Sequence, residues 1–363
     1  MKKLLSLIAA SLLLFSCAKQ ATVPVYVWTG GNPDDEAALR QNFELWKSHG
    51  VTGVCYGLGW NTEAIAKVSA MAHEYGMEYH AWVGCATQGG HDRSWYTVNR
   101  LGQNALDNPP YVPYYTTLDP HNPDVVDFLA TKCCEIADIP TVDYVQLDYI
   151  RYADVILAKG LWNKYGLVMD EEYAPADFCY CDDCVADFKA QTGIDIRKVE
   201  DPSKCEEWAA FRCQSVTKCV NAIAEAVHAK GKKVSADVFP GPDSHARWMV
   251  RQQWDEWNVD ALFPMNYNDF YLEPAEWVGE ITKEETASIA GKGEKLYSGL
   301  FICRDWRNKA NIADPEGHGL NPMELEVAVN GAMQAGADGI CLFSTGSMTD
   351  EHWEALDKLI GLK

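Results

Sequence analysis

Two aspartates hold matching places in two β-rich runs. One run is Val145-Gln146-Leu147-Asp148-Tyr149-Ile150-Arg151-Tyr152, the other Val234-Ser235-Ala236-Asp237-Val238-Phe239-Pro240. Side chains alternate along a strand, so Gln146 and Asp148 share a face, as do Ser235 and Asp237. Burying even a neutral polar group without a partner costs on the order of 2 to 7 kcal/mol, so two converging carboxylates need a reason. Acetal cleavage supplies one. One carboxyl protonates the leaving oxygen, and a second attacks or activates water. Mutual repulsion drives their pKa values apart and keeps one protonated near neutral pH. Asp148 is the expected nucleophile or base, because Arg151 or other nearby donors can hold it ionised. Asp237 is the expected proton donor, with the reverse assignment open.

Other residues could handle a sugar around such a pair. Trp28, Trp82, Tyr149 and Tyr267 offer rings for stacking, while His80, Arg151 and Asn266 offer hydrogen bonds to hydroxyls. Asp154, Asp269 and Asp305 lie beyond strand ends and read as solvated loop carboxylates, with Asp269 or Asp305 as substitutes for Asp237. No G-x-S-x-G, H-E-x-x-H or Walker A sequence competes. Thirteen cysteines are present. Cys179, Cys181 and Cys184 form a C-x-C-x2-C set that suits structural zinc, with a fourth ligand from Cys205, Cys213 or elsewhere, or disulfides. The cleavage chemistry itself requires no cofactor. Cys55, Cys85, Cys303 and Cys341 fall in or beside strands and read as small buried hydrophobes.

The elements that must position these groups alternate regularly. Strands are expected at 23–29, 51–58, 77–83, 142–149, 232–239, 261–267, 295–303 and 339–343. Helices are expected at 33–48, 62–75, from Asn122-Pro123-Asp124, about 204–230, 246–257, 322–334 and 350–362. Eight alternations predict an α/β fold, a (β/α)8 TIM barrel over 23–363, with a Cys-containing insertion at about 153–203 after strand four. Gly30-Gly31 lacks the G-x-G-x-x-G spacing of a doubly wound sheet. In a barrel of this kind the active site lies at the C-terminal ends of the strands, where both aspartates fall.

The N-terminus carries Lys2 and Lys3, an apolar run from Leu4 to Leu14, and then Phe15-Ser16-Cys17. This predicts a lipoprotein signal peptide over 1–16, lipidation of Cys17, and a short anchor or linker over 17–22. The protein would then be lipid-anchored in the cell envelope, at a membrane and face the sequence leaves open. A net charge of -21 repels nucleic acid and anionic headgroups, and suits neutral or cationic substrates.

These residues also carry a resemblance. Gln146 to Tyr152 looks like the "DYIRYP" strand of the bacterial glycosyl-hydrolase-like family ten, and Leu118-Asp119-Pro120-His121-Asn122-Pro123-Asp124-Val125 is similar to its "LNPGNPEV" segment. Val234 to Phe239 and Phe263-Pro264-Met265-Asn266-Tyr267 resemble the strands that follow. The Cys-bearing stretch looks like "CYCPxC" segments of assorted bacterial glycosidases. The likeness runs over residues 23 to 345 and departs from the pattern at Ala153, where the family has Pro. It implies a TIM-barrel glycoside hydrolase acting on polysaccharide or cell-wall glycan, with a catalytic carboxylate at Asp148. Two rival readings stand beside it: a non-catalytic glycan-binding lipoprotein, and a metal-dependent hydrolase using His80 with strand-end carboxylates.

Overall fold

The structure is a computed structural model that describes residues 23–308 and 319–363. The expected signal peptide, Cys17 and the 17–22 linker lie outside the described residues. Eight strands, β1 (Val25–Gly30), β2 (Gly53–Gly57), β3 (Glu78–Gly84), β4 (Tyr144–Asp148), β5 (Lys233–Val238), β6 (Ala261–Pro264), β7 (Lys295–Phe301) and β8 (Gly339–Phe343), pair in sequence order. All pairs are parallel, and β8 closes on β1. The chain is therefore a (β/α)8 barrel.

Period-two alternation sorts each strand into two environments. Val25, Val27, Val54, Val145, Leu147, Val234, Ala236, Ile340 and Leu342 belong to the large core between barrel and helices. Tyr26, Trp28, Cys55, Tyr144, Phe263, Tyr297 and Cys341 form a second cluster inside the barrel. The outer face is covered by helices such as Glu36–Ser48, Thr62–Glu74, Pro123–Ala137 and Glu206–His228. Asn122 caps Pro123–Ala137 as expected, its side chain accepting from the Asp124 N–H at 2.9 Å. Cys55, Cys85, Cys303 and Cys341 are all buried.

The expected helix at 246–257 is broken into a short turn of helix, Arg247–Val250, and a 3-10 turn, Trp254–Glu256. Arg251 between them takes φ 60°, which a helix cannot continue through. The helical spacing of apolar residues there reflects Trp254 and Trp257 packing into the core individually. A helix at Trp277–Ser288, before β7, went unforeseen in the sequence.

Two glycines make room at the barrel mouth. A Cβ on Gly57 would sit 2.9 Å from Trp82 Cε3, and one on Gly299 would sit 2.6 Å from Trp28 Cη2. Glycine at both positions leaves the space that the two indoles occupy.

Candidate active site

The C-terminal ends of the strands open into a cleft of about 560 Å³. Asp148, the last residue of β4, and Asp237, on β5, both line it. Each carboxylate is held by an indole. Trp82 on β3 donates from Nε1 to Asp148 Oδ2 at 3.0 Å, and Trp28 on β1 donates from Nε1 to Asp237 Oδ1 at 3.1 Å. Gln146, one step below Asp148 on the same face, donates from Nε2 to Asp237 Oδ1 at 2.6 Å. The β4 strand thus both carries one carboxylate and grips the other.

Their surroundings differ. Both oxygens of Asp148 accept hydrogen bonds, because the Tyr149 N–H reaches Oδ1 at 2.7 Å. Tyr149 achieves this with φ 51°, a left-handed conformation that costs a side-chain-bearing residue about 1 to 3 kcal/mol. Asp237 Oδ2 is buried without a protein partner. Burial raises both carboxyls above the ordinary range. For Asp148 the Tyr149 N–H, Arg151 and Trp82 oppose that rise. For Asp237 the Asp148 charge adds to burial, hydrogen bonds from Trp28, Gln146 and Trp82 only partly oppose them, and the carboxyl ends well above its ordinary value. The pair therefore shares its charge unequally: Asp148 ionises first and Asp237 keeps the proton.

Trp28, Trp82, Tyr149, Arg151 and Tyr267 line the cleft. Arg151 pairs directly with Asp154, Nη1 to Oδ2 at 2.8 Å, and not with Asp148. Its guanidinium lies 5.2 Å from the Tyr149 ring centroid and 4.7 Å from that of Phe239. Asp154 is correspondingly a buried, cleft-lining carboxylate instead of a solvated one. The Tyr115 hydroxyl also donates to it, at 3.0 Å.

His80 and Asn266 do not line the cleft. His80 is one interior step below Trp82, stacked on Tyr144 at 4.1 Å, with Nδ1 2.9 Å from Ser235 Oγ. Burial lowers its pKa, so it is a neutral core histidine. That placement removes the basis of the metal-dependent reading at the strand ends. Asn266 is buried against Thr282, Glu285 and Ser298, to which its Nδ2 donates. Asp269 is buried and accepts the Gly319 N–H, and neither it nor Asp305 lines the cleft.

Sequence reasoning missed much of the aromatic wall, which includes Tyr111, Tyr114 and Tyr115 of the loop after β3, Tyr165 of the insertion, and Tyr271. The Tyr111-Val112-Pro113-Tyr114-Tyr115 run was the available signal, since loop aromatics have no core to fill. The cysteine set finds its fourth candidate ligand outside the cysteines. Cys179, Cys181 and Cys184 gather around Asp119, and these four could hold a metal ion. Cys205 and Cys213 lie elsewhere, their sulfurs near Glu207 and the Arg247 carbonyl. All twelve described cysteines are free thiols.

No protein-family model and no curated protein matches the chain. Solved structures do. The glycoside hydrolase domain of PgaB (BpsB) from Bordetella bronchiseptica is 14% identical, with TM-score 0.66 over 94% of this chain and 99% of that one. The catalytic domain of β-amylase from Paenibacillus polymyxa is 11% identical, with TM-score 0.58 over 95% and 99%. A class V chitinase from Pseudomonas fluorescens is 11% identical, with TM-score 0.53 over 94% and 100%. At these identities the likeness is one of fold: the chain is built on a closed (β/α)8 barrel shared with glycoside hydrolases.

Proposed function

We propose that the protein is a glycoside hydrolase that cleaves a polysaccharide, oligosaccharide or cell-wall glycan with Asp148 and Asp237. One observation carries the reading: two buried carboxylates share an aromatic-walled cleft at the ends of adjacent strands, and their surroundings separate their protonation states. Asp148, with both oxygens held by donors, is the nucleophile or base. Asp237 is the acid, its unpartnered Oδ2 the oxygen that delivers a proton to the leaving group. The rings of Trp28, Trp82 and Tyr267, with the other cleft tyrosines, suit the apolar faces of sugar rings. Named neighbours of the same fold that act as glycoside hydrolases support the reading by analogy. A lipid anchor at Cys17, placing the enzyme on the cell envelope, belongs to the same proposal.

The test is a panel of plant, host and peptidoglycan glycans given to wild type, Asp148→Asn and Asp237→Asn. Loss of cleavage by about 100-fold or more in each variant, with glycan binding kept, is expected. Binding without cleavage by the wild type would instead identify a glycan-capturing protein.

A further inference from the structure

We propose that Asp119, Cys179, Cys181 and Cys184 hold one zinc ion in a closed structural site that ties the loop after β3 to the insertion after β4. The four ligand atoms all lie within 4.8 Å of one another. Tetrahedral zinc, with bonds of about 2.3 Å to sulfur and about 2.0 Å to oxygen, places neighbouring ligand atoms roughly 3.5 to 3.8 Å apart. The Asp119 carboxylate is already oriented for this. Its Oδ1 accepts from the His121 N–H at 3.0 Å and the Tyr152 hydroxyl at 3.4 Å. Its Oδ2 faces the sulfurs of Cys181 and Cys184, each at 3.3 Å.

The sulfurs are prepared for thiolate charge by backbone donors. The Val98 and Cys181 N–H groups point at Cys179 Sγ, at 3.5 and 3.4 Å, and the Cys184 N–H points at Cys181 Sγ at 3.3 Å. Cys181 is also the N-cap of the helix Asp182–Thr192, where the macrodipole favours negative charge. Three thiolates exclude magnesium and calcium, which take oxygen ligands. A single carboxylate beside them fits borderline zinc better than the softer copper(I). Four protein ligands leave no open position, and none of the four lines the catalytic cleft. The site is therefore structural.

Its position says what it supports. The loop after β3 carries Tyr111, Tyr114 and Tyr115, and the insertion carries Asp154 and Tyr165, all on the cleft wall. Backbone bonds already join these segments near the cluster, from the Tyr180 N–H to the Val98 carbonyl at 2.6 Å and from the Arg100 N–H to the Asp177 carbonyl at 2.9 Å. The ion would lock this junction and hold the wall in place. The inference does not depend on the chemistry at Asp148 and Asp237, and its test reads metal directly.

Protein purified under reducing conditions without added metal is analysed by elemental mass spectrometry, and the stripped protein is titrated with zinc and with cobalt(II). One zinc per chain is expected, with tetrahedral d–d bands and thiolate-to-cobalt charge transfer on substitution. Asp119→Ala and Cys184→Ser should each weaken zinc by more than the about 10- to 100-fold typical of an outer hydrogen-bonding residue. Where a variant fails to fold, zinc release from the wild type during thiol modification replaces it: release in step with three thiols supports the site. Absence of stoichiometric metal both as isolated and after titration, or a native disulfide within the three cysteines, would overturn the proposal.

Discussion

In the proposed mechanism Asp237 is the proton donor, so its proton is both its catalytic cargo and a stability term. Burial and the Asp148 charge raise its folded-state pKa above the ordinary 3.8. A carboxyl raised in this way contributes stability that is fully present below the unfolded value and is lost as pH rises through the folded one. Asp237→Asn removes the titration while Asn Oδ1 can still accept from Trp28 and Gln146. We expect the variant to match the wild type in acid and to become the more stable protein as pH rises. The gap should widen by about 1.4 kcal/mol per pH unit until the folded pKa is passed. Denaturant titrations at several pH values check this, and parallel curves for the two proteins would refute it. At this scale the sequence was partly legible. The position of Asp148 and Asp237 at the cleft could be read from side-chain alternation together with the strand-end rule for barrels. The partner of Arg151 could not, because Asp154 three residues later reads as loop until its burial is seen.

At the scale of elements, β3 and β4 position the site through each other. Gly57 on β2 leaves space for the Trp82 ring, Trp82 holds Asp148, and Gln146 on β4 holds Asp237. Gly57→Ala would push a methyl group into the indole, at an overpacking cost of about 1 to 3 kcal/mol. The expected result is a folded barrel with kcat reduced more than KM is raised, measured on whichever glycan is cleaved. Unchanged kcat would show that the Trp82 bond is dispensable. Strand order and the inward face were readable because buried parallel strands announce themselves by apolar runs and period two. The tyrosine wall and Asp119 were not, since long βα loops carry no periodicity and their contacts span from 98 to 180 in the chain. The broken helix at 246–257 failed for the opposite reason: its spacing looked helical although each tryptophan packs separately.

For the whole molecule, the charge of -21 and the lipid signal make one expectation together. Under the proposed anchor at Cys17, an acidic barrel tethered to a membrane would avoid anionic surfaces and meet its glycan at the envelope. Cys17→Ser should move the protein from the membrane fraction to the soluble fraction with activity on soluble glycan intact; continued membrane association would contradict the anchor. The central claim concerns the divided proton, and it is tested most directly by the pH dependence of kcat/KM with two leaving groups. Wild type should give a bell, falling in acid as Asp148 is protonated and in alkali as Asp237 loses its proton. Asp237→Asn on an aryl glycoside whose leaving group needs no protonation should recover rate and lose the alkaline limb. An alkaline limb that persists in Asp237→Asn would show that another group gives the proton.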